Sequence, residues 1–505
     1  MSNIFDHTYF IVFIVYTAIL FLVAFFTSRK ATNETYFTGN RKSPWYLVAY
    51  GMIGTSLSGV TFISVPGWVG SSGFSYMLVV LGYVVGYLVI IALLLPVYYK
   101  LKLTSIYSYL DERFGRSAYK TGASFFLLSR FIGAAFRMFI VVEILQVFVL
   151  KQWNVPFYLV VLMFVGLILL YSFKGGIRTI VFTDTLQTTF MLLAVVFTIY
   201  FIKTDLNVDF KQIFQIVRES EFSKMVYTDV SSKHHYLKQF FSGIFIAIVM
   251  TGLDQDMMQK NLTCRSLKDA QKNVFSLSII LVFVNFVFLT LGVLLFHYVN
   301  HLGIEMPAKT DYLFPNIALN YLGPVAASLF IIGLISAAYS SADSAITALT
   351  TSFTVDILNI KKWKRSDEYK KKVRIISHFS ISFILVILMI AFNSINDDAV
   401  ISSIFTIAGY TYGPLLGFFA FGILSKKQTI DKYLPIVGIS SPILSYIIKE
   451  ISYTSFGYSF GFELLILNGA LTAFLMLLLS YKQPKNKINQ DLNEKFQIQS
   501  NRESI

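Results

Sequence analysis

Cysteine, charged residues and the short motifs of hydrolytic enzymes are all scarce in this sequence. Of its 505 residues only Cys264 is a cysteine, which excludes an internal disulfide and a cysteine-based metal centre. The six histidines form no HExxH pair, and neither GxSxG nor a phosphate-binding loop is present. The sequence therefore gives no support to an enzyme, and we expect neither catalytic residues nor a bound cofactor.

The shortage of charge indicates a membrane protein. Only 14% of the residues are charged, against about 25% in soluble domains, and the mean hydropathy is +0.64. Long apolar runs separated by short basic loops indicate helices rather than a β-barrel. We predict an all-α integral membrane protein with about thirteen transmembrane helices. The predicted spans are about 8–26, 45–70, 74–98, 121–150, 155–172, 179–203, 238–257, 273–299, 324–354, 375–393, 399–424, 433–449 and 460–480.

The distribution of Lys and Arg predicts the orientation. If the N-terminus lies outside, 31 of the 42 basic residues fall in loops on the opposite side of the membrane, which should be cytoplasmic. The C-terminus is then cytoplasmic, in a multi-pass protein of the cell (inner) membrane. The net charge of +14 reflects this asymmetry and predicts no nucleic-acid partner, because the densest basic loop, 361–374, suits lipid headgroups. The polar tail 482–505 is predicted to be disordered.

The second span is rich in glycine and hydroxyl groups at mid-membrane depth. It reads WYLVAYGMIGTSLSGVTFISVPGWVG over residues 45–70. Such a cluster favours a helix that is interrupted within the membrane. An ordinary kinked helix with close neighbours is the alternative.

The ninth span carries a polar stripe, SAAYSSADSAITALTTSF, over residues 336–353. At 100° per residue, Ser340, Asp343, Ser344 and Thr347 fall within one half of the helix. A carboxylate there is costly unless a cation or hydrogen-bond donors meet it. Because hard cations prefer oxygen ligands, we favour a cation site, here extended to sodium, over a stripe that only joins helices.

A second intramembrane acid, Asp184, lies in GGIRTIVFTDTLQ, residues 175–187. Asp184 and Asp343 are both predicted in the cytoplasmic half of their spans, at depths that allow them to share one ion. Alternatively, two neighbouring carboxyl groups can hold a proton.

An intramembrane arginine, Arg137, lies near the centre of the fourth span, seven residues after Arg130. The Arg137 guanidinium can bind a substrate carboxylate through two hydrogen bonds. It can instead neutralise an acid on another helix, and the sequence leaves both interpretations open.

Taken together, these segments resemble the sodium:solute symporter family, which includes bacterial proline, sialic acid and galactose transporters. The resemblance covers about 8–480. It depends on YSYLDERFG (107–115), GGIRTIVFTDTLQ (175–187), TGLDQDMMQKNL (251–262), SAAYSSADS (336–344) and GYTYGPLLG (409–417).

The resemblance implies a LeuT-type fold built from a five-plus-five inverted repeat. Residues 1–44 would form a first peripheral helix and a cytoplasmic loop, and 45–203 the first repeat. Residues 204–236 would be an extracellular loop. The second repeat would cover 237–425, followed by two peripheral helices over 426–481 and the tail 482–505.

The resemblance also implies sodium sites. Carried over by motif, the first has backbone ligands from Gly54, Leu57 and Ala337 and hydroxyl ligands from Ser340 and Ser341. A possible second sodium would be bound by Asp184, with Ser340, Asp343 and Ser344. Asp343 is a departure, because the family pattern has a hydroxyl group at this position.

The same resemblance implies which residues contact the substrate. Ser56, Ser58 and Thr61 match the substrate-facing part of the broken helix. Asp254 takes the place of an asparagine in sugar-transporting relatives, and Arg137 resembles the arginine that holds the carboxylate in sialic acid transporters. Tyr412 is expected to help close the outer gate. Val60 and Thr61 replace polar residues of the galactose type, which argues against a simple hexose.

The resulting hypothesis is a sodium-coupled symporter that imports a small organic solute by alternating access. Its partners would be sodium, the solute and the lipid bilayer, and we expect it to function as a monomer. The alternatives are a proton-coupled carrier of the same fold and a membrane sensor that binds solute without transporting it.

Overall fold

A computed structural model describes residues 2–29, 32–173, 176–394 and 400–481. The predicted tail 482–505 lies outside the described residues. Twenty α-helices and two two-residue strands fall within these ranges. The helices are α1 Ser2–Ser28, α2 Asn33–Thr38, α3 Trp45–Ser72, α4 Tyr76–Val89, α5 Leu95–Lys100, α6 Ser108–Arg113, α7 Arg116–Ile144, α8 Phe157–Ser172, α9 Ile177–Asp205, α10 Phe210–Glu219, α11 Tyr236–Ala247, α12 Gln255–Asn261, α13 Leu267–Leu302, α14 Leu313–Asn320, α15 Gly323–Ser352, α16 Asp367–Phe392, α17 Val400–Thr411, α18 Gly413–Leu424, α19 Leu434–Phe456 and α20 Leu464–Leu478. The strands, β1 Gln428–Thr429 and β2 Ser480–Tyr481, pair antiparallel.

Short π-helical turns extend four of these helices. Ile90–Leu94 joins α4 to α5, Leu145–Leu150 continues α7, Ile248–Gly252 continues α11 and Phe353–Ile357 continues α15. Such turns insert a residue into a helix and change the direction of the following side chains.

The described helices confirm a multi-pass membrane protein. Eight continuous helical stretches are long and apolar enough to cross a bilayer, or up to ten if each of two bent pairs counts as one span. The bent pairs are α11 with α12, at 67°, and α17 with α18, at 45°. Helices of this kind satisfy their backbone groups internally, as hydrocarbon requires.

Helix α3 is interrupted at its middle, which confirms the prediction for the second span. Ser58 has φ 41° and ψ 172° between two helical halves. Gly59 follows it, and a Cβ on Gly59 would lie 2.4 Å from Cγ2 of Val141 in α7. The interruption is therefore located where α3 packs closely against α7.

The end of the predicted seventh span is wrong. The sequence predicts this span at 238–257 and a cytoplasmic loop at 258–272, but the chain bends after the π turn and continues as α12. Asp254 caps α12, because its carboxylate accepts hydrogen bonds from the amides of Asp256 at 2.8 Å and Met257 at 3.3 Å. Lys260, assigned to the loop by sequence, lies within α12 and is 1% exposed.

Helix α15 occupies the centre of the molecule. It packs against α9, α3, α7 and α1, and every residue from Ser336 to Ser352 is buried. The polar half of the predicted wheel is therefore covered by other helices. This position brings the polar stripe against the interrupted part of α3.

Candidate functional site

A cavity lies beside the interruption in α3. Ser56, Ser58 and Thr61 from α3 line it, with Arg137 from α7 opposite. Three tyrosines after the interrupted helix, Tyr76, Tyr83 and Tyr87, add aromatic surface. The structure thus brings together four of the six side chains expected to contact substrate.

Arg130 and Arg137 have different environments, although their sequence spacing predicts nearly the same face of the helix. The Arg130 guanidinium donates a hydrogen bond to the Asp256 carboxylate and lies 3.7 Å from that of Asp254. Both arginines line the cavity, but Arg137 forms no ion pair within 4.0 Å with any residue that the structure describes. Of the two arginines, Arg130 is therefore the one that neutralises acids on another helix, α12.

Asp254 and Tyr412, the other two residues expected at the substrate, contact each other. The Tyr412 hydroxyl donates to the Asp254 carboxylate. Asp254 is 0% exposed and does not line the cavity of Arg137. Tyr412 borders a second, smaller cavity that Arg130 and Arg137 also line. This hydrogen bond links the bend before α12 to the bend before α18.

The residues proposed for the first sodium lie where α3, α9 and α15 converge. The Gly54 amide donates to Oγ1 of Thr188 at 3.1 Å. A Cβ on Gly54 would lie 2.3 Å from that oxygen and 3.1 Å from Oγ of Ser340. Only glycine fits between these two hydroxyl groups.

The remaining residues of this group are buried beside the same convergence. Leu57 directly precedes the interruption at Ser58, and Ala337 lies one turn before Ser340 and Ser341. Leu57 is 2% exposed and Ala337 1% exposed. The Ser340 hydroxyl donates to Oδ1 of Asp184 at 2.7 Å, and the Ser341 hydroxyl donates to the Ala338 carbonyl at 3.0 Å.

Asp184 has a cation partner that the sequence interpretation missed. The ammonium of Lys260 lies 2.5 Å from Oδ2 of Asp184 and also donates to the Thr55 hydroxyl. The available signal was the acid itself, since a carboxylate inside a membrane requires a partner. The sequence predicts Lys260 in the loop 258–272, outside the membrane, and therefore gives it no contact with Asp184.

Asp343, which is expected to share an ion with Asp184, has a hydrogen-bond partner of its own. One oxygen, Oδ2, accepts a hydrogen bond from the Tyr171 hydroxyl at 2.9 Å. Among the described residues, neither Oδ1 of Asp343 nor Oγ of Ser344 has a hydrogen-bond partner. Both side chains are buried, so a water molecule could satisfy these oxygens.

Comparisons with known proteins agree with this arrangement. The model of the sodium:solute symporter family matches residues 36–431. The sodium/sialic acid symporter SiaT of Proteus mirabilis is 25% identical, over 90% of this chain and 92% of that protein. The sodium/sialic acid symporter NanT of Aliivibrio fischeri is 23% identical, over 94% and 92%. A solved sodium-coupled sialic acid symporter, outward-open with substrate bound, superposes with a TM-score of 0.80 at 20% identity, covering 94% of this chain and 99% of that one.

Proposed function

Because this chain belongs to the sodium:solute symporter family and uses sodium as its coupling ion, we propose that it imports a small organic acid by alternating access. The cavity beside the α3 interruption is the proposed solute site. Arg137 would bind the carboxylate of the solute, and Ser56, Ser58 and Thr61 would bind its other polar groups.

The observation that carries this proposal is the position of Arg137. A guanidinium inside a membrane is expensive unless an anion meets it. Arg130 already pairs with the acids at the start of α12, whereas no described acid pairs with Arg137. A carboxylate in the cavity would supply the missing charge through a two-point hydrogen bond.

The two similar symporters support an acidic solute, since both are named for sialic acid. At 23–25% identity they do not identify the solute of this chain. The proposal therefore extends to small carboxylates as a class.

The first sodium is proposed to bind Gly54, Leu57, Ala337, Ser340 and Ser341. An interrupted membrane helix releases backbone carbonyls that suit a cation, and the interruption at Ser58 follows directly on Leu57. Sodium would join α3 to α15 and favour the state that binds solute. A tenfold sodium gradient supplies about 1.4 kcal/mol per ion, and about 100 mV adds roughly 2.3 kcal/mol per charge.

We propose thirteen spans in all. The continuous stretch Trp45–Lys100 has 56 residues, so as a straight helix it would be roughly 84 Å long, far more than one bilayer crossing needs. Counting it as two spans, with the two bent pairs and the shorter apolar helices α8 and α20, supports the proposed number.

The five-plus-five inverted repeat is proposed from matching features of the two halves. The first span of each proposed repeat, α3 and α11–α12, is broken. In addition, α3 packs on α13 while α11 packs on α4, so the first span of each repeat contacts the second span of the other. This exchange supports repeats over 45–203 and 237–425, with 1–44 and 426–481 peripheral.

The orientation is proposed from the basic loops, with the N-terminus outside, the C-terminus in the cytoplasm and the protein in the cell membrane. A monomer is proposed as the working unit.

Sodium-dependent ligand binding tests the proposed solute class. Purified protein would be screened by thermal unfolding with pairs of small acids and their neutral amides, in sodium and in potassium. The proposal predicts that an acid, but not its amide, raises the melting temperature in sodium, and that Arg137→Gln abolishes the shift. Equal stabilisation by an acid and its amide would contradict it.

A further inference from the structure

Lys260 holds a positive charge inside the group of oxygen atoms that a second sodium would need. Its ammonium lies 2.5 Å from Oδ2 of Asp184 and donates a hydrogen bond to the Thr55 hydroxyl. The other Asp184 oxygen accepts from Ser340 at 2.7 Å. Lys260 is 1% exposed and Asp184 0% exposed, so solvent screens this pair very little.

The oxygens around the ammonium come from three helices. Thr55 is in α3 next to Gly54, Asp184 is in α9, and Ser340 is in α15. The Thr55 hydroxyl also lies 3.3 Å from Oδ2 of Asp184 and 3.4 Å from Oγ of Ser340. A carboxylate and two hydroxyl groups at these distances form an oxygen set that suits one monovalent cation.

An ammonium and a sodium ion cannot both use Oδ2 of Asp184. Two cations bound to the same oxygen would repel each other strongly, because the surroundings are apolar. The charge of a lysine ammonium is also concentrated on one small group. Lys260 is also fixed to α12, whose start is held by the Asp254 cap. Its charge is therefore present at Asp184 whatever the sodium concentration.

We propose that Lys260 is a tethered cation that occupies the place of a second sodium at Asp184, so that this symporter binds one sodium ion. The inference rests on the proposed function in one respect, namely that sodium binds at the first site next to Gly54 and Ser340. It replaces the expectation that Asp184, Asp343 and Ser344 together hold a second sodium.

Asp343 does not change this assignment. Its Oδ2 accepts from Tyr171, and Lys260 forms its described ion pair with Asp184. Without the lysine, Asp184 would be a buried carboxylate with only hydroxyl donors, which is costly in a membrane. Sodium from solution would then enter the oxygen set around Asp184.

The test is a direct count of bound sodium. Purified protein would be titrated with radioactive sodium, without solute, for wild type, Lys260→Arg, Lys260→Ala and the double variant Lys260→Ala with Asp184→Asn. We expect one sodium per chain for wild type and for Lys260→Arg. We expect two for Lys260→Ala and one for the double variant, which lacks both charges.

Two sodium ions bound to the wild-type chain would overturn the inference, and this result does not depend on any variant folding. One sodium bound to a folded Lys260→Ala chain, shown monodisperse by size exclusion, would also overturn it. Because no solute is present, failure to transport an acid would contradict the proposed solute class and leave the sodium count intact. A wild-type count of zero would overturn the inference together with the first sodium site.

Discussion

The Gly54 amide donates a hydrogen bond to the Thr188 hydroxyl at 3.1 Å, and this contact sets the distance between α3 and α9. A methyl group on Gly54 would lie 2.3 Å from the same oxygen. The two helices therefore approach closely at the point where sodium is proposed to bind, and the oxygen atoms of α3, α9 and α15 depend on that approach.

Gly54→Ala should therefore impair sodium use. The added methyl group would push Thr188 and Ser340 away, and we expect the sodium concentration for half-maximal uptake to rise at least about tenfold. Sodium titrations of solute uptake in proteoliposomes measure this. Gly166→Ala in α8 is the matched control, because among the described residues no atom outside the adjacent backbone of α8 lies within 4 Å of the added carbon. An equal effect of both changes would refute the explanation.

Ser340→Ala should weaken sodium affinity more than it lowers protein abundance. The change removes a proposed sodium ligand and the hydrogen bond to Asp184, which is worth about 1.5–3 kcal/mol for a charged acceptor. Ser328→Ala, near the start of the same helix, removes only a bond to the Pro324 carbonyl and serves as the control. Unchanged sodium affinity in Ser340→Ala would remove Ser340 from the proposed site.

Substitutions of the two arginines of α7 should have different effects: loss of Arg130 should lower stability, whereas loss of Arg137 should abolish uptake. Arg130→Gln leaves buried Asp256 without its cation, and breaking such a pair typically costs about 3–5 kcal/mol. We therefore expect a markedly lower melting temperature and poor expression. Arg137→Gln should leave the melting temperature of the solute-free protein near that of wild type and abolish uptake of the solute. A thermal scan of both purified variants would contradict this account if Arg137→Gln were the less stable.

Cys264, between α12 and α13, should be inert to thiol reagents. Burial raises the pKa of its thiol to about 12, so almost none of it is the reactive thiolate between pH 7 and pH 8. Native protein should not react with a fluorescent maleimide in this range, whereas protein denatured in detergent should react. Rapid labelling of the native protein at pH 7 would contradict the buried position.

Because Cys264 should not react with maleimides, single cysteines introduced into the wild-type chain can test its orientation in the membrane. Ser231, before α11, and Lys427, after α18, are both exposed. In intact cells a membrane-impermeant maleimide should label Ser231→Cys and not Lys427→Cys, which should react only after permeabilisation. The reverse pattern would invert the proposed topology.

Local patterns in the sequence were sufficient to predict the interruption of α3 and the polar stripe of α15, which the structure buries. Glycine and hydroxyl clusters weaken a membrane helix where they occur, and a stripe around Asp343 is visible on a wheel. Both features depend only on neighbours along one helix. The structure accordingly has the break at Ser58 within the predicted cluster.

The partners of the charged residues could not be predicted in the same way. Arg130 and Arg137 lie on nearly the same face of a helix, and only the position of Asp256 distinguishes them. The sequence does not predict the role of Lys260, because the hydropathy of the seventh span ends at 257, inside α12, whereas the helix continues beyond the bend to Lys260, which pairs with Asp184. The Asp254 cap was the local sign of that second helix.

Competitive uptake by the purified protein in liposomes tests the central claim most directly. The outside solution would contain amino acids, sugars, sialic acids and small carboxylates, with an inward sodium gradient or matched potassium, and the lumen would be analysed by mass spectrometry. The account predicts that a carboxylate-bearing solute accumulates only with sodium, and that Arg137→Gln loses this accumulation. Sodium-driven accumulation of a neutral sugar alone, unaffected by Arg137→Gln, would contradict it.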